Sequence, residues 1–233
     1  ATAPMALAAE ATKELKMAYD ADPVTLDIHE QLSGGILQLS HMSFDPLLRW
    51  TQDLGFEPRL AESWERIDDN TVRFKLRKGV KFHSGNELTT KDVKFTFDRL
   101  KQSQDFKAIF KPFSGINIID DYTFELVTSE PYPLLLNTAT YIFPLDSEFY
   151  TGTTEDGKDK SAILKHGNSF ASTHISGTGP FRVTERQQGV RVEFERFKDY
   201  WDTESPGNVG KIVLTPIKED ATRVSALLSG GVD

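Results

Sequence analysis

Between Thr71 and Arg77 the chain alternates Val72, Phe74 and Leu76 with Arg73, Lys75 and Arg77. A period of two predicts a half-buried strand in an antiparallel sheet. Asp68-Asp69-Asn70 ahead of it is turn chemistry. The same period recurs over 14–19, 122–127 and 190–197, and Ile212-Val213-Leu214 reads as a further strand. Helical spacing appears elsewhere. Ser33-Gly34-Gly35 precedes Ile36, Leu39, Met42 and Phe44, a helix entered from a glycine turn and ended by Asp45-Pro46. Val93, Phe97 and Leu100 stand at i, i+4 and i+7 behind a cap at Thr89 or Thr90. Asp92 falls in the first turn of that helix, where the dipole favours a negative charge. Pro131-Tyr132-Pro133 opens a short apolar helix through Leu134, Leu135 and Leu136. Ala221, Val224, Leu227 and Leu228 predict the inner face of a closing helix that stops at Gly230 or Gly231. Strand-like and helix-like pieces interleave without a regular βαβ repeat, so the expected class is mixed α/β, of α+β character.

Composition narrows the function classes. At 233 residues the chain can bury a core as one large domain or two small ones. A net charge of -8 argues against nucleic acid as a partner, because phosphate neutralisation needs clustered Lys and Arg. With no cysteine there is no disulfide, thiolate metal site or Cys nucleophile. No segment approaches the roughly 18 apolar residues of a membrane span. Residues 1–9, rich in alanine, read as the remnant of a secretory signal or as a disordered start.

Candidate chemistry is sparse. Gly177-Thr178-Gly179 suggests a dinucleotide loop, but the third glycine is missing and Phe181-Arg182-Val183 continues as a strand. The better reading is a rigid turn whose glycines let backbone approach a ligand or a neighbouring strand. His29, His41, His83, His166 and His174 show no metal-binding spacing, and no serine sits in a Gly-x-Ser-x-Gly elbow. No catalytic residue, metal or cofactor is expected. A secreted hydrolase built on paired carboxylates is the alternative from another class. Tyr132, Tyr141, Phe143, Phe149, Tyr150, Tyr200 and Trp201 gather after residue 130, either as core or as the wall of a cleft.

Several blocks together resemble the extracellular solute-binding proteins of ABC importers, in the peptide and nickel group. They are Leu60-Ala61-Glu62-Ser63-Trp64, the run from Leu76 to Gly85, and Leu88-Thr89-Thr90-Lys91-Asp92-Val93. Downstream, Gly177-Thr178-Gly179-Pro180-Phe181, Asp199-Tyr200-Trp201 and the run Ala226 to Asp233 keep the family's order. The resemblance implies a receptor, not an enzyme, that captures a short peptide-like solute outside the cytoplasm, in the periplasm or at the membrane surface, and delivers it to the transmembrane subunits of a permease. It implies the N-terminal lobe of a periplasmic-binding-protein type II-like fold, with the C-terminal lobe absent, as one jaw of a clamp. Residues 10–45 and 169–233 would form the ligand-facing part, and 46–168 an inserted subdomain. The ligand-binding positions it implies are Ser33, Gly34 and Gly35, then Thr140, Tyr141 and Ile142, then Gly177 and Thr178. The chain is expected to be a monomer. A nickel-chelate receptor of the same family is the alternative, weakened because Glu130 to Gly157 contains no Lys or Arg.

Overall fold

The computed structural model describes residues 11–204 and 207–233, so the alanine-rich opening lies outside the described residues. Among the described residues, ten strands and five α-helices run in the order β1 (Lys13–Tyr19), α1 (Gly34–Ser43), β2 (Leu48–Trp50), β3 (Phe56–Pro58), β4 (Ala61–Arg66), β5 (Thr71–Leu76), α2 (Thr90–Gln102), β6 (Phe113–Asp120), β7 (Thr123–Thr128), α3 (Leu135–Ala139), α4 (Ser147–Tyr150), β8 (Phe181–Gln187), β9 (Arg191–Arg196), β10 (Val209–Pro216) and α5 (Asp220–Leu228). The class is mixed α/β, as the interleaved periods predict. Two compact units divide at Asp22/Pro23 and at Gly179/Pro180.

The larger unit, Pro23–Gly179, is built on an antiparallel sheet ordered β4-β5-β7-β6. On β5 the alternation predicted at 71–77 is realised: Val72, Phe74 and Leu76 are buried. Phe74 lies opposite Phe124 with the rings stacked at 5.3 Å, while Arg73 reaches across to Glu125 at 2.7 Å. Such cross-strand pairs fix the register. Helix α2 buries Val93, Phe97 and Leu100, and the Phe97 ring meets Phe110 and Phe113 edge-on. Its first turn is held by the Asp92 carboxylate, which accepts from the Thr89 N–H at 2.8 Å and the Ser147 N–H at 2.8 Å.

The sequence places the domain divisions near residues 45 and 168, and the compact units divide elsewhere. A second cluster of this unit explains the difference. Ile28 and Phe44 pack with Phe143, Leu145, Tyr150 and Ala171, so residues 23–45 and 169–179 share one core with the intervening chain. Helix α3 starts at Leu135, later than the proline pair suggests.

The smaller unit holds the described residues up to Asp22 together with Pro180–Asp233. Its sheet is ordered β1-β10-β9-β8, with β1 parallel to β10 and the other pairs antiparallel. Val192, Phe194, Ile212 and Leu214 are buried, and Arg182–Glu195 and Lys211–Glu193 pair as charges between neighbouring strands. Helix α5 corrects the expectation of an inner face. Val224, Leu227 and Leu228 all stand in solvent, and no residue of α5 is buried. Its amphipathic spacing is real, but among the described residues no element covers the apolar side.

Candidate ligand-binding surface

All eight positions singled out by the sequence fall in the larger unit. Ser33 caps α1: its backbone is extended (φ -137°, ψ 149°) and its Oγ accepts from the Ile36 N–H at 3.3 Å. Serine suits this place because its oxygen satisfies one of the four N–H groups that a helix start leaves without partners. Gly34 and Gly35 are the first two helical residues, so helix geometry turns their N–H groups outward at the positive end of the dipole. Gly34 is exposed, and a Cβ added there would meet nothing within 4 Å. The approach to this end is anchored, since the Leu32 N–H donates to Asp105 at 3.1 Å and Lys165 bridges Asp105 and the Glu30 carbonyl at 2.7 and 2.8 Å.

Gly177 and Thr178 are placed differently. A Cβ at Gly177 would overlap the Ser43 carbonyl and the Phe44 ring, and one at Gly179 would overlap the backbone of Ser43 and Phe44. The turn therefore closes onto the C-terminal end of α1. Gly179 N–H donates to the Ser43 carbonyl at 3.0 Å, and the Thr178 hydroxyl accepts from the Asp45 N–H at 3.2 Å. His83 braces the turn, with Nε2–H donating to the Gly179 carbonyl at 2.9 Å and Nδ1 accepting from the Gly177 N–H at 3.4 Å. A strand follows the turn, so the dinucleotide loop is not formed.

The third group divides. The Thr140 hydroxyl closes α3 by donating to the Asn137 carbonyl at 2.7 Å. Tyr141 is part exposed, with its ring edge-on to Phe106 at 6.4 Å. Ile142 is fully buried, and its carbonyl accepts from the Leu47 N–H at 2.9 Å. Ile142, Gly177 and Thr178 thus meet around the segment Ser43–Leu47 as packing. Ser33–Gly35 lie at the other end of α1, roughly 15 Å away along a helix of that length. Phe106 meets the Tyr141 ring, and its neighbour Asp105 accepts from the Leu32 N–H just ahead of that second end.

Beneath this surface sits a buried polar cluster that no local spacing announces. Asp27 and Arg99, 72 residues apart, form two bonds of 2.7 and 2.6 Å, and the Ser169 hydroxyl donates to Asp27 at 2.8 Å. Burial by itself would raise the Asp27 carboxyl, but the bonds and charge of Arg99 outweigh it and hold Asp27 below the usual carboxylate range. His29 is 1% exposed, and neither ring nitrogen has a hydrogen-bond partner. Burial, aided by the nearby Arg99 charge, pulls it down to about 3. Burial likewise pushes the Tyr150 phenol up. Sequence reasoning missed Asp105, Phe106 and Lys165, whose contacts with the site are all long-range. The exposed groups, N–H donors and a half-buried phenol ring, suit holding a carbonyl or carboxylate and packing an apolar side chain.

Residues 55–233 match the family model for bacterial extracellular solute-binding proteins, family 5 Middle. The chain is similar to the dipeptide-binding protein of Escherichia coli strain K12, 30% identical over 181 residues, covering 68% of this chain and 32% of that protein. It is 25% identical to the glutathione-binding protein GsiB of Escherichia coli O1:K1 over 99% of this chain and 43% of that one. The chain thus spans less than half the length of these curated relatives. Its fold matches the dipeptide-binding protein from Pseudoalteromonas sp. SM9913 in complex with Met-Leu, with TM-score 0.81 and 22% identity over 95% of this chain and 46% of that one. It also matches MoaA from A. tumefaciens R10 in complex with mannopinic acid, with TM-score 0.78 and 25% identity over 94% and 44%. The chain belongs to the bacterial extracellular solute-binding proteins of family 5.

Proposed function

We propose that this chain serves solute capture by an ABC importer, outside the cytoplasm, and that its solute is a short peptide-like molecule handed on to a permease without bond breaking. Ser33, Gly34, Gly35 and Tyr141 are the residues of this chain that meet the solute, with Thr140 beside them. Ile142, Gly177 and Thr178 support the wall from within. Curated relatives named for dipeptide and glutathione binding support the peptide class.

The observation that carries this reading is Gly34. It is exposed, its missing side chain relieves no contact, and it is not among the glycines with positive φ. Within the chain nothing requires glycine there. A bare backbone N–H at a helix start serves a partner that brings its own acceptor, and peptide main chains do so whatever their sequence.

Replacing Gly34 with proline tests it. Proline at the first helical position needs no N–H, and the extended backbone of Ser33 is what a residue before proline prefers. Calorimetric titration with di- and tripeptides, glutathione and a nickel–histidine complex is expected to give peptide binding by the parent chain, and binding at least about tenfold weaker in the variant. Peptide binding unchanged by Gly34→Pro would overturn the assignment of this surface. Binding of the nickel complex alone, or release of cleaved peptide, would overturn the function.

A further inference from the structure

The segment leading into α1 is fastened by groups far from it in the chain. Lys165 Nζ donates to the Glu30 carbonyl at 2.8 Å and to the Asp105 carboxylate at 2.7 Å. The other oxygen of Asp105 accepts from the Leu32 N–H at 3.1 Å. Glu30 is itself 3% exposed, and its carboxylate accepts from the Gly167 N–H at 3.1 Å. The partners of residues 30 and 32 thus lie 73 to 137 positions away. The loop that brings two of them is specially shaped. His166 takes φ 63° and Gly167 φ 71°, left-handed residues in succession. A residue other than glycine keeps that conformation only where its surroundings impose it. His166 is exposed, and the bonds flanking it fix the turn: the Gly167 N–H goes to Glu30, and the Gly167 carbonyl accepts from the Ser172 hydroxyl at 2.6 Å. A Cβ at Gly167 would lie 2.6 Å from the Val24 carbonyl, so the loop also packs closely on the start of the same segment.

Folding gains little from the ion pair itself. The Lys165 and Asp105 side chains are 44% and 30% exposed, and an ion pair that open to water adds little to stability. What the bonds do fix is position. Residues 30–32 deliver the chain to Ser33, and groups that bind a ligand must be held in productive geometry by neighbours that are themselves fixed. We infer that Lys165 and Asp105, with Gly167, form a brace that sets the Ser33–Gly35 surface in place before the solute arrives. They are positioning residues that act through Glu30 and Leu32, and the inference rests on the solute surface proposed above. A brace of this kind raises affinity by removing the cost of ordering the segment at the moment of binding.

Lys165→Met tests it, because methionine keeps an unbranched stem and drops both bonds. Exchange of the Leu32 and Gly167 amide protons is measured without solute, and di- and tripeptides are titrated by calorimetry. Exchange is expected to quicken about fivefold or more and peptide binding to weaken by about the same factor, with urea unfolding near the parent. Lys165→Arg, which still offers several donors, should bring both readings back to within about twofold of the parent. Asp105→Asn should weaken binding as well, and the double variant should lose less than the two single losses combined. Quickened exchange with unchanged binding would make the contacts merely structural. Weakened binding with unaltered exchange would make Lys165 a direct contact of the solute. Either result overturns the brace while leaving the solute reading in place. A parent chain that binds none of the peptides would sink that reading, and this inference with it.

Discussion

The two ends of α1 are held in different ways. At the C-terminal end, the turn Gly177-Thr178-Gly179 lies so close to Ser43 and Phe44 that no side chain larger than hydrogen fits at 177 or 179. At the N-terminal end, Gly34 faces open space. Both turns look alike as sequence, a small polar residue among glycines. One set of glycines answers to the chain's own packing, and Gly34 does not. The contrast separates wall from support within one candidate site.

The comparison breaks most sharply at Gly177. Gly177→Ala drives a methyl group into the Ser43 carbonyl and the Phe44 ring, and it is expected to destabilise by about 3 kcal/mol or more, measured as a loss in urea unfolding. An unfolding free energy within experimental error of the parent would show that the turn can move aside. Thr178→Val keeps the shape but removes the hydroxyl that accepts from the buried Asp45 N–H, with an expected loss of about 1–3 kcal/mol. A pH-dependent effect concerns the approach to the open end. His29 has a folded pKa near 3 against 6.5, so the unfolded chain binds a proton that the folded chain rejects between those values. Stability from this group is whole above pH 6.5 and is lost as pH falls through that window, with a slope of up to about 1.4 kcal/mol per pH unit. His29→Leu should flatten that slope in the upper half of the window, where carboxylates stay ionised; a parallel pair of stability curves would contradict it. The smallest expected effect is at the open end itself. Gly34→Pro should raise stability by about 0.4–1 kcal/mol by narrowing the unfolded ensemble, and a clear loss on melting would show that the helix start needs its N–H within the chain.

Local period carried much of the fold. β5, β7, β9 and α2 fall where alternation or helical spacing puts them, because each has one buried face and one wet one. The short pair β2 and β3 and the edge strand β6 went unseen. Three residues show no period, and β6 exposes most of its far half, including Ile118 and Ile119. The apolar side of α5 was legible as a pattern but not its surroundings, since spacing reports a face and says nothing about what meets it. In the site, a helix start near Ser33 was readable from its own neighbours, though as a glycine turn and not as a serine cap. The burial of Ile142 and the close approach at Gly177 were not, because both depend on residues about a hundred positions away in the chain. The Asp27–Arg99 pair was hidden for the same reason.

The parallel pairing of β1 with β10 sets an order of assembly. Residues 23–179 form a continuous stretch that can condense while synthesis continues. Lys13 to Tyr19 leave the ribosome ahead of that stretch, yet their partners run from Val209 to Pro216. Strand β1 therefore waits for its partner, and it must stay unpaired, without aggregating, until the roughly two hundred residues between it and β10 have been made.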